Sequence, residues 1–297
     1  MKNLYSKLFT TLLALFLASC SSNPDEAVNN EEVKPAEIAT NNIFYQVPTP
    51  NELFAVLKNS NVAYNRENLS DVANASNYLT KGSKALNFGV YTADLAYVTS
   101  LGKMDDASKF FETIRSLSKD LKIENAVDEV IMKRLQTNLE SSNADSLFYL
   151  SNETYYNAYS YLEENNRRDV LALIVVGGWI EGLNIILNLE PYSENSEICQ
   201  RIADQKLTLE NLLIFTSTIE NEQLSEIVGD LSGIEEVFNY VTEDDNKSSD
   251  STEITSTKSA DGVMMFGGGE SNTITEKQFN DLRSLVLDLR TSIIEAK

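Results

Sequence analysis

The chain contains no histidine among its 297 residues. Ser-His-Asp and Cys-His catalytic sites need an imidazole as the base, and histidine ligands are typical of protein zinc, iron and copper centres. The sequence therefore excludes these classes of enzyme and of metal site. We assign no catalytic residue, no metal ligand and no cofactor.

Basic residues are also scarce. The chain has 24 lysines and arginines against 45 aspartates and glutamates, which gives a formal net charge of −21. A surface this acidic repels nucleic-acid phosphates, so a nucleic-acid partner is not expected. Cysteine occurs twice, at Cys20 and Cys199.

The first nineteen residues have the pattern of an export signal. Lys2 and Lys7 precede a short apolar run over 8–17, and small residues follow at Ala18 and Ser19. This order predicts a signal peptide over 1–19, because the apolar run is too short for a stable membrane span.

The end of this segment, "LASC", resembles a bacterial lipobox. The resemblance implies cleavage before Cys20 and lipidation of Cys20, so the mature chain would be anchored to a membrane without spanning it. The alternative is an ordinary signal peptide followed by a chance cysteine. With Cys20 lipidated, Cys199 has no disulfide partner and is expected to be a small buried residue on a helix.

The lipobox implies an outer-membrane lipoprotein of the bacterial cell envelope. Asp25 and Glu26 resemble the acidic sorting signals of surface-exported lipoproteins, but a solvated tether would be acidic as well. Periplasmic and cell-surface positions therefore both stay open.

Composition divides the rest of the chain into four parts. Residues 20–42 are polar and acidic, which predicts a flexible tether after the lipidated cysteine. Apolar residues then recur at helical spacing over 43–243, which predicts one helical domain. The Ser-, Thr-, Asp- and Gly-rich stretch 244–272 indicates a disordered linker or long loop, and 273–297 is expected to be a C-terminal helix.

These patterns predict an all-α protein. Successive helices joined by short loops give either an antiparallel helical bundle or stacked helix pairs. The last helix begins with a capping box at Thr275–Gln278. Its apolar residues are spaced by three and four, so it is expected to pack on the bundle; the alternative is a partner's helix.

Two helices that are apolar on all sides each have one isolated acid: Asp94 is the only charged residue between Lys84 and Lys103, and Glu181 the only one between Asp169 and Glu190. Asp94 lies within "LNFGVYTADLAY" at 86–97, and Glu181 lies within "LIVVGGWIEGLNIILNLE" at 173–190. A helix that is apolar all round is central, so both carboxyls are expected to be buried. On each helix, polar residues lie in line with the acid along the same face. Together they form a candidate polar pocket that comprises Asn87, Tyr91, Asp94, Glu181, Asn184 and Asn188.

Two interpretations of this pocket stay open. It can be a site for a small ligand or a hard cation, or an acid/base pair. It can also be a structural hydrogen-bond network in which hydroxyls and amides satisfy each carboxyl. The second interpretation is preferred.

A tyrosine-rich segment, "LFYLSNETYYNAYSYLEE", follows at 147–164. Tyrosines beside an aqueous groove can stack on sugars or peptides while offering their hydroxyls. Tyr149, Tyr155, Tyr156 and Tyr159 therefore form a candidate aromatic groove, and packing in a helical core is the alternative.

The strings "VPTPNELFAVLKNS" at 47–60 and "KALNFGVYTADLAY" at 84–97 resemble a group of bacterial lipoproteins of unknown function. The resemblance implies an envelope protein and brings no activity with it. We expect a lipid-anchored lipoprotein that binds or scaffolds a protein, peptide or glycan without catalysis. The alternative is a carboxylate-dependent, glycan-type hydrolase that uses Asp94 and Glu181.

Overall fold

The computed structural model describes residues 53–59, 62–126, 129–194, 196–240, 256–258, 264–266 and 273–295. All of them belong to one unit, Thr40–Lys297. The predicted signal peptide, Cys20 and the predicted tether lie outside the described residues, as does most of the predicted linker over 244–272.

The prediction of an all-α fold is confirmed. In chain order, the described residues form the α-helices α1 (Lys81–Ser100), α2 (Met104–Asp120), α3 (Glu129–Glu140), α4 (Ala144–Glu164), α5 (Arg168–Leu187), α6 (Glu197–Ala203), α7 (Gln205–Ser217), α8 (Glu222–Phe238) and α9 (Glu276–Glu295). Short 3-10 helices cover Ala55–Asn59, Arg66–Asn68, Val72–Asn77 and Glu124–Ala126. Two strands, β1 (Ser256–Lys258) and β2 (Met264–Phe266), pair antiparallel with Thr257 opposite Met265.

Local signals set the ends of these helices. At the start of α1, the Ser83 N–H donates to Thr80 Oγ1 at 2.9 Å and the Thr80 N–H donates to Ser83 Oγ at 3.2 Å. Gly102 ends α1 with a φ of +66°, a conformation that glycine adopts without strain. Asp204 separates α6 from α7: it caps the end of α6 with an αR backbone conformation, and α7 begins at the next residue.

The two central helices, α1 and α5, run in the same direction. The shared direction places the starts of both helices together, where Lys81 Nζ lies 3.1 Å from Asp169 Oδ2. Further along, Gly89 of α1 meets Ile174 and Gly178 of α5, so residue numbers rise together along the two helices.

Glycines allow α1 and α5 to touch backbone to backbone. A Cβ atom at Gly89 would lie 2.0 Å from the carbonyl oxygen of Ile174, and one at Gly177 would lie 2.0 Å from that of Leu86. No larger residue fits either position without moving a helix. The helix-propensity cost of these glycines is therefore offset by close packing.

Every residue of α5 from Val170 to Leu187 is buried. Among the described residues, α5 is the one helix whose length and composition would suit a membrane span, and its apolar window lies wholly inside the protein. That burial is what a central core helix requires.

The C-terminal helix α9 packs along α5 and also contacts α8 and α1. At its start, Gln278 and Thr275 exchange two hydrogen bonds, and Gln278 Nε2 donates to the Val237 carbonyl at the end of α8. The helix runs antiparallel to α5. Its buried apolar seam comprises Phe279, Leu282, Val286, Leu289 and Ile293.

Candidate functional site

The two lone acids meet in the core. Asp94 lies on α1 and Glu181 on α5, at the level where α9 and the segment 66–71 also pack. Both side chains have no solvent-exposed surface. A carboxyl in such a position must be paired, hydrogen-bonded or protonated.

The partner of Glu181 is Arg290 of α9, a residue that the sequence analysis did not single out. Its Nη2 donates to Glu181 Oε1 at 2.8 Å and its Nε donates to Oε2, which makes a bidentate pair. The same Nη2 donates to Ser70 Oγ at 3.0 Å and to the Asn68 carbonyl at 3.4 Å. Arg290 therefore joins α9, α5 and the segment before α1.

Asp94 is held from another direction. Its Oδ2 accepts the backbone N–H of Ser70 at 3.2 Å. Its Oδ1 is buried and accepts no hydrogen bond, and this carboxyl lies within hydrogen-bonding reach of Glu181. The arrangement suits a protonated Asp94 that donates to the Glu181 carboxylate.

The pKa of Asp94 also favours the protonated form of this carboxyl. Burial raises the pKa of the Asp94 carboxyl well above its usual range, and the charge and hydrogen bond of Glu181 raise it further. Arg290 and the Ser70 N–H lower this pKa without reversing the shift. Burial therefore favours the protonated, neutral form of Asp94, while Glu181 forms an ion pair with Arg290.

The guanidinium stays charged in this environment. Burial would lower the pKa of Arg290, but the hydrogen bonds and charge of Glu181 outweigh that effect and raise it. A buried Arg–carboxylate pair with further donors satisfied is the arrangement in which the desolvation of two charges is best offset.

Asn184 of α5 and Asn188, which caps the end of that helix, belong to a neighbouring network. Asn188 Nδ2 donates to the Asn184 carbonyl at 2.8 Å and to Asn184 Oδ1 at 3.2 Å. Asn188 Oδ1 accepts a hydrogen bond from Arg283 Nε of α9 at 2.9 Å. This part of the predicted pocket therefore also links α5 to α9.

Asn87 and Tyr91 of α1 bind backbone groups. Asn87 Nδ2 donates to the carbonyls of Ser83 at 2.9 Å and of Ile293 at 3.0 Å. The Tyr91 hydroxyl donates to the Asp71 carbonyl at 2.9 Å. Both side chains thus link α1 to neighbouring backbone segments. The hydrogen bonds of Asp94 and Glu181 are those described above.

The four tyrosines of the candidate aromatic groove lie at different depths on α4. Tyr149 is 69% exposed, whereas Tyr155 is buried. Tyr156 and Tyr159 are partly buried and pack against the core. The structure therefore distributes these rings between the surface and the core.

The described residues line two surface cavities away from the acids. One, of about 290 Å³, lies among the starts of α1, α5 and α8 and is bordered by Lys81 and Asp169. The other, of about 450 Å³, is bordered by Glu190 and Glu197. Neither includes Asp94 or Glu181. In the part of the chain that the structure describes, no group of three or more Asp, Glu or Cys side chains could hold a metal ion.

A signal for Arg290 was present in the sequence. Arg283 and Arg290 are seven residues apart, so they share one edge of the apolar seam of α9. Both face α5, where Arg283 binds Asn188 and Arg290 binds Glu181. Ser70 had no such signal, because it lies in a stretch without helical periodicity.

Comparison with protein-family models, with curated proteins and with solved structures gave no match.

Proposed function

We propose that this chain is a lipid-anchored protein of the bacterial cell envelope that binds or scaffolds a partner and performs no catalysis with its buried acids. The observation that carries the proposal is the pairing of Glu181 with Arg290 inside a core that also encloses Asp94. The N-terminal signal pattern supports the anchor, and the net charge of −21 argues against nucleic acid as the partner.

The buried geometry disfavours the hydrolase alternative. A general acid or base must come within hydrogen-bond distance of the group that it protonates or deprotonates. A glycosidase also places its two carboxyls on either side of the bond to be cleaved. Here both acids are fully buried, and Arg290 occupies both oxygens of Glu181. A sugar could reach them only after the core around them had opened.

Thermal unfolding with and without added ligands tests this proposal. We expect that divalent cations and oligosaccharides cause no shift in melting temperature that depends on Asp94. A ligand that binds elsewhere shifts wild type and Asp94→Asn equally, because binding to the folded state stabilises both. A shift in the wild type that is lost in Asp94→Asn would establish a ligand site at the acids and contradict the proposal.

A further inference from the structure

The buried cluster has more acceptors than donors. Arg290 fills both oxygens of Glu181, and the Ser70 N–H fills Oδ2 of Asp94. Oδ1 of Asp94 is left buried without a donor, next to a second carboxylate. One proton on Oδ1 gives this oxygen a hydrogen bond, because the O–H donates to Glu181. It also removes the repulsion between two carboxylates, and the cluster becomes neutral.

We propose that the C-terminal helix α9 docks with the uptake of one proton by the Asp94–Glu181 pair, so that α9 is a latch that tightens as the pH falls and loosens as it rises. The helix brings Arg290, the cation of this cluster, and closes the site to water. When α9 leaves, water reaches the acids, and an exposed aspartate with a pKa of about 3.9 releases the proton.

Of the groups around Asp94, only the pair of acids is expected to gain or lose a proton when α9 docks. The charged and titratable side chains that face it are Glu181 from α5, Arg290 from α9, Tyr78 from the segment before α1, and Tyr91 from α1 itself. Burial raises the pKa of both tyrosines, so they stay neutral, and Arg290 stays charged. The proton shared between the two acids is the one that docking can gain or lose.

The direction of the pH effect follows from this uptake. With α9 docked, burial holds the pKa of Asp94 well above its ordinary value, and contact with water in the open form would bring this pKa down again. Between those two pKa values the docked form carries a proton that the open form has lost. The docking equilibrium therefore weakens as the pH rises, by up to tenfold per pH unit, and levels off above the pKa of the docked form.

The arrangement of the chain allows α9 to open by itself. Its contacts with the body lie along the apolar seam and at three polar side chains, Gln278, Arg283 and Arg290. Asn87 and Tyr78 also donate to carbonyls near its end, those of Ile293 and Ile294. Elements held on one side in this way can open as separate units.

Hydrogen exchange of the folded protein tests the latch. Amide protection of α9 is compared with that of α8 between pH 5 and pH 8, after correction for the intrinsic exchange rates. In the wild type, we expect the protection of α9 to fall by up to tenfold per pH unit while α8 changes less. Asp94→Asn should remove this pH dependence, because its Nδ2 can donate to Glu181 and its Oδ1 can accept the Ser70 N–H, as the protonated acid does.

Asp288→Asn is the matched control, since Asp288 is an exposed acid on the same helix. This variant should keep the pH dependence of the wild type. The proposal is overturned if wild type and Asp94→Asn show the same slope, or if α8 follows α9 throughout. An Asp94→Asn protein that does not fold also overturns it, because asparagine reproduces the protonated carboxyl. If added Ca²⁺ raises the amide protection of wild-type α9, then the docking of α9 takes up a metal ion and not a proton. That result would also overturn the proposal.

Discussion

At the residue scale, one guanidinium on α9 binds both α5 and the segment before α1. Arg290 binds Glu181 of α5, the hydroxyl of Ser70 and the carbonyl of Asn68 from a side chain that is 8% exposed. Removing one partner of a buried pair leaves the other charge without compensation, which costs more than the intact pair contributes. Burial favours the neutral form of Asp94, and a neutral carboxyl does not incur this penalty.

We expect Arg290→Met to destabilise the protein by about 3–5 kcal/mol near neutral pH, because Glu181 is then buried without a counter-ion. Urea unfolding followed by the fluorescence of Trp179, the single tryptophan, measures the free energy of unfolding.

Arg283→Met is the control for this change. Arg283 holds the equivalent position one heptad earlier, but its hydrogen bond to Asn188 is exposed, so its loss should cost about 1 kcal/mol or less. If Arg290→Met costs no more than Arg283→Met, the buried pair does not stabilise the docking of α9.

At the scale of elements, the contact between α1 and α5 depends on the absence of side chains. The close approach at Gly89 and Gly177 is between backbones, so no rotamer change can make room there. This contact fixes the register of the two helices and thereby brings Asp94 beside Glu181.

We expect Gly89→Ala and Gly177→Ala each to cost about 3 kcal/mol or more, since a methyl group 2.0 Å from a carbonyl oxygen forces the helices apart. Gly229→Ala is the control. Gly229 lies on α8 with no atom near the position of an added Cβ, so this change should stabilise the protein by up to about 1 kcal/mol. Equal effects of all three substitutions on the melting temperature would show that the contact is not tight.

At the scale of the whole molecule, the predicted attachment to a membrane depends on the N-terminal residues. We expect Cys20→Ser to move the protein from the membrane fraction to the soluble fraction while its helical circular dichroism is unchanged, because the lipid supplies the membrane affinity. Cys199→Ala is the control, since Cys199 is buried in the core and should leave the attachment intact. A Cys20→Ser protein that still sediments with membranes would rule out the lipid anchor.

Much of the helical architecture could be predicted from local sequence. Capping residues such as Thr80 and Thr275, and the periodic apolar residues between caps, set helix positions to within a few residues because these signals act along a single element. The interruption at Asp204 is harder to predict, since neither glycine nor proline marks it.

The sequence by itself determined that α1 and α5 are central and that each carries a lone acid, because a helix that is apolar on every side has no other stable place. Only the tertiary structure decided that Arg290 is the counter-ion, that Ser70 holds Asp94 and that Tyr155 is buried while Tyr149 is exposed. Those contacts join residues far apart in the chain. They depend on which helix faces meet, and the backbone contact at Gly89 and Gly177 selects that pairing through shape, which periodicity does not encode.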